Sequence, residues 1–65
     1  MKTKSAVSYV LKHRKDAEGN AMTKYRLAME LGAAPVSVDQ WLRRTKMGEQ
    51  YRNVFYKKFG VIIHD

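Results

Sequence analysis

The chain contains no cysteine, and it has one proline and one tryptophan among its 65 residues. Without cysteine it can form no disulfide and can offer no thiolate to a metal ion. The two histidines, His13 and His64, lie towards opposite ends of the sequence, so no cluster has the ligand spacing of a zinc finger. We therefore expect no disulfide framework, no bound metal and no cofactor.

Long apolar runs are also missing. The longest cover three or four residues, at positions 33–36, 54–56 and 61–63. A membrane-spanning helix needs about 20 apolar residues, and a signal peptide needs an apolar region of about 7–15. The sequence therefore predicts no membrane segment and no secretion. Together with the absence of cysteine, this favours a cytoplasmic protein.

Acidic residues are scarce. Thirteen Lys and Arg stand against six Asp and Glu, which gives a net charge of +7, and the first 15 residues carry five basic side chains and no acidic one. Hydrophobic residues make up 45% of the chain, enough for a folded core rather than a basic tail. A basic folded domain favours a polyanionic partner, most simply a nucleic acid. An acidic membrane surface or an acidic protein is the alternative.

The short length argues for one domain, residues 1–65, and against an enzyme. A chain of this size buries only about 60% of its unfolded surface and has little room for a pocket that excludes water. No nucleophile stands beside a plausible base, there is no phosphate-binding loop, and Glu30 and Asp39 fall on different predicted helices. We expect no catalytic activity and no small-molecule substrate.

Apolar periodicity predicts a compact all-α bundle of four short helices with an extended C-terminal tail. Helix one should run from an N-cap at Ser5 to His13, and a turn at Gly19-Asn20 should separate it from helix two. Whether helix one ends before Lys15 or continues to position 18 is left open. Helix four should span residues 49–59, and the apolar residues 61–63 are too few for another helix.

Helices two and three are predicted to form a helix-turn-helix. Thr23 can cap the first of them, and Gly32 can end it with a positive φ angle. Pro35 suits the first turn of the next helix because its missing N–H is not needed there. Ala28 offers a small side chain where the helices cross, and Trp41 lies at core spacing on the second helix. Such a pair leaves the other face of the second helix free for the DNA major groove.

The residues 24–32 (KYRLAMELG) and 33–41 (AAPVSVDQW) resemble the helix-turn-helix of the lambdoid phage Cro and repressor superfamily. The end of the motif, Val38-x-Gln40-Trp41, is most like that of the small Cro proteins. Lys24 stands where the family usually carries Gln, and Pro35 and Val36 stand where the family often carries polar side chains that read bases.

The resemblance implies that helix three enters the major groove. Gln40 would bond adenine, Arg43 would take guanine or a phosphate, and Val36 would touch a thymine methyl group. Asp39 is left open, since it could accept from cytosine, restrain an arginine or repel phosphate. The implied base-contacting residues are Val36, Ser37, Asp39, Gln40 and Arg43, and the implied phosphate-contacting residues are Lys24, Arg44 and Lys46.

These observations lead us to expect a Cro-like phage or prophage repressor that binds an inverted-repeat operator on double-stranded DNA as a weak homodimer. The predicted dimer contact is the tail Val61, Ile62 and Ile63, paired as strands or packed as an apolar patch. The alternative is that the tail folds back onto its own core. An alternative function is a small basic protein-interaction module, an antitoxin or a host-factor binder, that uses the same tail.

Overall fold

Four α-helices and no β-strand make up the computed structural model, which describes all of residues 1–65. In chain order they are α1 (Thr3–His13), α2 (Lys24–Leu31), α3 (Pro35–Arg43) and α4 (Glu49–Phe59). The predicted all-α bundle, with α2 and α3 as its helix-turn-helix and a non-helical tail, is confirmed. None of the helices has both the length and the apolar character needed to cross a lipid bilayer.

The start of α1 differs from the prediction. The helix begins at Thr3, its N-cap is Lys2, and no side chain caps it locally, so the predicted cap at Ser5 is wrong. Instead, the Thr3 N–H donates to Oδ1 of Asp65 at 2.9 Å, and the Thr3 hydroxyl donates to Oδ2. The carboxylate of Asp65, from the far end of the chain, thus caps the N-terminus of α1. At its other end α1 stops at His13, which is the shorter of the two possibilities.

The segment between α1 and α2 folds into a small hairpin-like turn. Lys15 and Ala21 form an isolated antiparallel bridge, and the Asp16 N–H donates to the carbonyl of Asn20 at 2.8 Å. Oδ1 of Asp16 also accepts the Asn20 N–H at 2.9 Å, and Gly19 has a φ of +84°. The predicted turn is therefore confirmed, and the backbone and side chain of Asp16 both stabilise it through hydrogen bonds to Asn20.

One hydrophobic core lies among the four helices, and α3 packs on both α1 and α2. The rings of Phe55 and Phe59 meet edge to face at 5.0 Å, while Trp41 meets the half-buried Tyr51 at 5.5 Å. Full burial of a side chain such as Phe55 is worth about 1.5–3 kcal/mol. The buried core residues are Ala6, Val7, Val10, Met22, Leu27, Ala28, Leu31, Val38, Trp41, Met47, Phe55, Phe59 and Ile63.

The C-terminal tail returns to the beginning of the chain. The Met1 amino group donates to the carbonyl of Ile62 at 3.0 Å, and the His64 N–H donates to the carbonyl of Met1 at 2.7 Å. Ile63 is buried in the core of its own chain, which leaves little of its side chain for contact with a second copy. The dimer contact through the tail stays a prediction. The alternative, in which the tail completes its own core, is the one observed. Val61 is half-buried, and Ile62 remains exposed.

Candidate nucleic-acid interface

The turn between α2 and α3 is built from local signals. Oγ1 of Thr23 accepts the Arg26 N–H at 3.1 Å, which confirms the predicted cap of α2. Gly32 ends α2 with φ +71°, and the N–H of Ala33 donates to the carbonyl of Ala28 at 2.9 Å. This is the pattern by which a left-handed residue satisfies the last carbonyls of a helix. Three residues, 32–34, separate the helices, and Pro35 opens α3.

The inward face of α3 is fixed by two buried anchors. Val38 is fully buried, Trp41 is nearly so, and both lie in one core cluster with the fully buried Ala28 of α2. Large side chains in such a core hold the helix in one orientation. The prediction that α3 packs through Val38 and Trp41 is therefore confirmed.

The outward face of α3 carries the residues that the resemblance implies for base contact. Val36, Gln40 and Arg43 are exposed, while Ser37 and Asp39 are half-exposed. The polar atoms of Gln40 and Arg43 are therefore accessible to a ligand. The structure brings all five onto one helix surface, and their contact with bases stays a prediction.

Asp39 has a partner that the sequence did not indicate. Its Oδ1 lies 2.9 Å from Nζ of Lys24, so the residue restrains a lysine of α2 rather than an arginine. The hydrogen bond from Lys24, and then its charge, lower the pKa of Asp39, and the Arg43 charge adds to this. In the free protein, Lys24, which is predicted to contact phosphate, is thus bound to Asp39, which is predicted to contact a base.

Arg44 and Lys46 follow α3 and are exposed. No carboxylate oxygen lies within 4.0 Å of either, and the same is true of Arg43. An exposed cation without an acidic partner is available to a polyanion. Three exposed positive charges without an acidic partner therefore lie at the end of α3 and in the segment that follows it.

Two other basic residues are engaged by the fold. Arg26 lies 3.1 Å from Glu18 and 3.6 Å from Asp16, which ties α2 to the preceding turn. Nη1 of Arg14 donates to the carbonyl of Phe59 at 3.0 Å, and its guanidinium lies 5.5 Å from the centre of the Phe59 ring. From the sequence, Arg14 and Arg26 count only as two positive charges, because no neighbouring residue identifies the groups that they contact.

The beginning of α1 contributes cations that sequence reasoning did not assign to the site. The fold places Lys2 and Lys4 beside the end of α3, around a cleft of about 190 Å³. The excess of basic residues in the first 15 positions indicates a positively charged surface, but it does not identify which lysines lie beside α3. We call this feature the basic cleft, and its lining residues are Lys2, Thr3, Lys4, Trp41, Arg43, Arg44, Thr45, Lys46 and Asp65.

The chain shows no group of three His, Cys, Asp or Glu residues that could hold a metal ion. His13 is exposed on α1, where its ring lies 5.2 Å from that of Tyr9. Comparison of the chain with models of protein families, with curated proteins and with solved structures finds no match. The likeness to the Cro and repressor superfamily therefore rests on residues 24–41.

Proposed function

We propose that the chain is a sequence-specific regulator of transcription that binds double-stranded DNA, a Cro-like phage or prophage repressor acting in the cytoplasm. The observation that carries this is the division of α3 into two faces. Val38 and Trp41 anchor one face in the core, while Gln40 and Arg43 stand free on the other. A helix held in this way can enter the major groove without unfolding any part of the protein.

Electrostatics support the same proposal. Arg43, Arg44 and Lys46 form no ion pair within 4.0 Å at the exposed end of α3. DNA phosphates would neutralise these charges and release condensed counterions, which drives binding at low salt. Such contacts set affinity and register, and they leave base recognition to the outward face of α3.

The side chains on that face have distinct chemistry. The amide oxygen of Gln40 can accept from adenine while its amide nitrogen donates to the same base, and Arg43 can bond guanine through two parallel N–H groups. Val36, which is 59% exposed, can pack on a thymine methyl group. Lys24 could reach a phosphate by exchanging its bond to Asp39 for one to the DNA.

Binding as a two-fold dimer would supply the affinity that one small module lacks. Two copies of α3 would then occupy half-sites about 34 Å apart, which is one turn of the double helix. Because Ile63 is buried, the exposed Ile62 and the half-buried Val61 are the tail residues left for a dimer contact. A dimer on the operator would block access of the polymerase.

Selection of bound duplexes from random DNA with the full chain is the first step of the test. Fluorescence anisotropy then compares the selected duplex with a scrambled one. We expect Gln40→Ala and Arg43→Ala each to reduce the preference for the selected duplex by about 1–3 kcal/mol. Gln50→Ala and Lys58→Ala are matched controls on α4, and both residues are exposed.

Two outcomes of this test count against the proposal. If the selection yields no preferred sequence, the chain is not a sequence-specific regulator. If Gln40→Ala and Arg43→Ala weaken binding to both duplexes equally, these residues supply scaffold or charge and do not read bases.

A second candidate function, a protein-interaction module, is supported by a groove between α4 and the tail. The groove has a volume of about 370 Å³, and Tyr56 and Ile62 line it with more than half of each residue exposed. If the protein binds no DNA duplex even at low salt, that result would favour the protein-interaction function. Its remaining lining residues are Glu49, Arg52, Asn53 and Ile63.

A further inference from the structure

The basic cleft joins two segments that are distant in sequence. Lys2 is the N-cap of α1 and Lys4 lies in its first turn, while the other basic residues come from the end of α3 and the segment after it. Five cationic side chains and a single carboxylate side chain line its walls. The cations are Lys2, Lys4, Arg43, Arg44 and Lys46.

The single carboxylate does not neutralise these cations through ion pairs. Both oxygens of Asp65 accept hydrogen bonds from Thr3, and neither lies within 4.0 Å of a basic nitrogen. The five like charges therefore repel one another in the free protein. An anion that enters the cleft would relieve this repulsion, and it would gain both guanidinium and ammonium donors.

The geometry of the cleft favours a phosphate group over a base. Trp41 is the one aromatic residue in its lining, and it is 96% buried, so it offers no free ring face for stacking. Arg43 belongs both to the cleft and to the outward face of α3. The cleft therefore continues the proposed DNA-binding surface from α3 onto α1.

We propose that the basic cleft binds a phosphate of the DNA backbone, with Lys2 and Lys4 as its contacts from α1. This rests on the proposed function, and it adds to the helix-turn-helix a backbone contact from outside the motif. The hydrogen bonds between Met1 and the tail hold the first residues of the chain beside α3. The backbone that carries the two lysines is thus held in place before DNA arrives, which reduces the entropy lost on binding.

The test compares two double variants of the full chain with equal changes in charge. Lys2→Gln/Lys4→Gln removes two cations from the cleft. Lys12→Gln/Lys15→Gln removes two exposed cations at the other end of α1, and Lys2 and Lys12 are about 15 Å apart along the helix axis. Binding to a mixed-sequence 20-base-pair duplex is measured over a range of salt concentrations, and thermal melting checks that both variants fold.

We expect the slope of log K against log salt to become shallower by about 1 in the cleft variant, because the loss of one phosphate contact removes about 0.9 from the slope. The control variant should change the slope by less than half as much. Equal changes in the two variants would overturn the cleft proposal while leaving DNA binding by the chain intact.

A second measurement separates the cleft from the proposed function. Inorganic phosphate, exchanged for chloride at constant ionic strength, should shift the backbone amide signals of residues 2–4 and 43–46, and Lys2→Gln/Lys4→Gln should make these shifts smaller, because three of the five cations remain. If phosphate shifts these signals but the chain binds no duplex, the proposed function fails and the cleft stands as a phosphate site. If phosphate leaves them unmoved, the cleft proposal is overturned.

Discussion

Nζ of Lys24 lies 2.9 Å from the carboxylate of Asp39, and this ion pair joins the first helix of the helix-turn-helix to the second. Both side chains are about half exposed, so solvent screens the pair and it contributes little to the stability of the fold. Its greater effect is on charge, because it holds a cation and an anion at the surface where α3 would meet DNA.

Asp39→Asn should therefore strengthen binding to DNA. The substitution removes a negative charge that would face phosphate and releases Lys24, and we expect an increase in affinity of about fivefold at low salt for selected and scrambled duplexes alike. Fluorescence anisotropy measures this, with Glu49→Gln on α4 as the control of equal charge change. A loss of affinity confined to the selected duplex would show instead that Asp39 reads a base.

Gly32→Ala should destabilise the protein, because Gly32 has a φ of +71° and a Cβ is disfavoured there whatever the space around it. We expect the free energy of unfolding to fall by about 1–2 kcal/mol in a urea titration. Gly48→Ala is the matched control, since Gly48 has a φ of −64° and an added Cβ would meet nothing within 4 Å. It should change stability by less than about 0.5 kcal/mol. Equal losses would mean that the left-handed turn is not what ends α2.

Arg14→Gln should lower stability without a special effect on DNA binding. The change removes the hydrogen bond to the Phe59 carbonyl and the contact with the Phe59 ring, which together are worth about 1–2 kcal/mol. Lys15→Gln changes the charge equally at an exposed neighbour and should leave the urea midpoint almost unchanged. The prediction is wrong if the two variants unfold at the same urea concentration.

Acid should destabilise the fold through Asp65. The hydrogen bonds from Thr3 lower the pKa of Asp65, with smaller effects from the charges of Lys46 and Arg52. A lowered pKa means that the contribution to stability is complete above the unfolded value of about 3.9 and is lost as the pH falls through the folded value. Urea midpoints at pH 6 and pH 2.5 measure the loss.

Asp65→Asn should reduce this difference in midpoint, because the amide has no charge to lose. If Asp65→Asn keeps the full difference, the titrating group lies elsewhere, and Asp39 is the other carboxyl group with a lowered pKa.

The helix-turn-helix could be predicted from the sequence because its signals are local. Thr23, Gly32 and Pro35 each act within four residues of their own position, and the spacing of Val38 and Trp41 follows the helical period. Backbone preference and helical geometry decide such features before any tertiary contact forms. The start and the end of α2 and the start of α3 accordingly agree with the prediction.

The remaining features depend on partners far away along the chain. Thr3 and Asp65 are 62 positions apart, and Arg14 and Phe59 are 45 apart. Ser5 is a favourable cap by type, yet the helix starts earlier because Asp65 reaches its first turn. The same long-range closure buries Ile63 and places Lys2 beside α3. No periodicity or local motif encodes these juxtapositions.

The closure of the chain ends has a consequence for local unfolding. The hydroxyl of Thr3 accepts the backbone N–H of Met47 at 3.0 Å while it donates to Asp65, so one side chain links α1, the segment after α3 and the tail. Fraying of any of these three segments releases the other two, and their amides should exchange with solvent in a single opening event. We therefore expect the first residues, the last residues and the stretch that leads into α4 to unfold together as one unit.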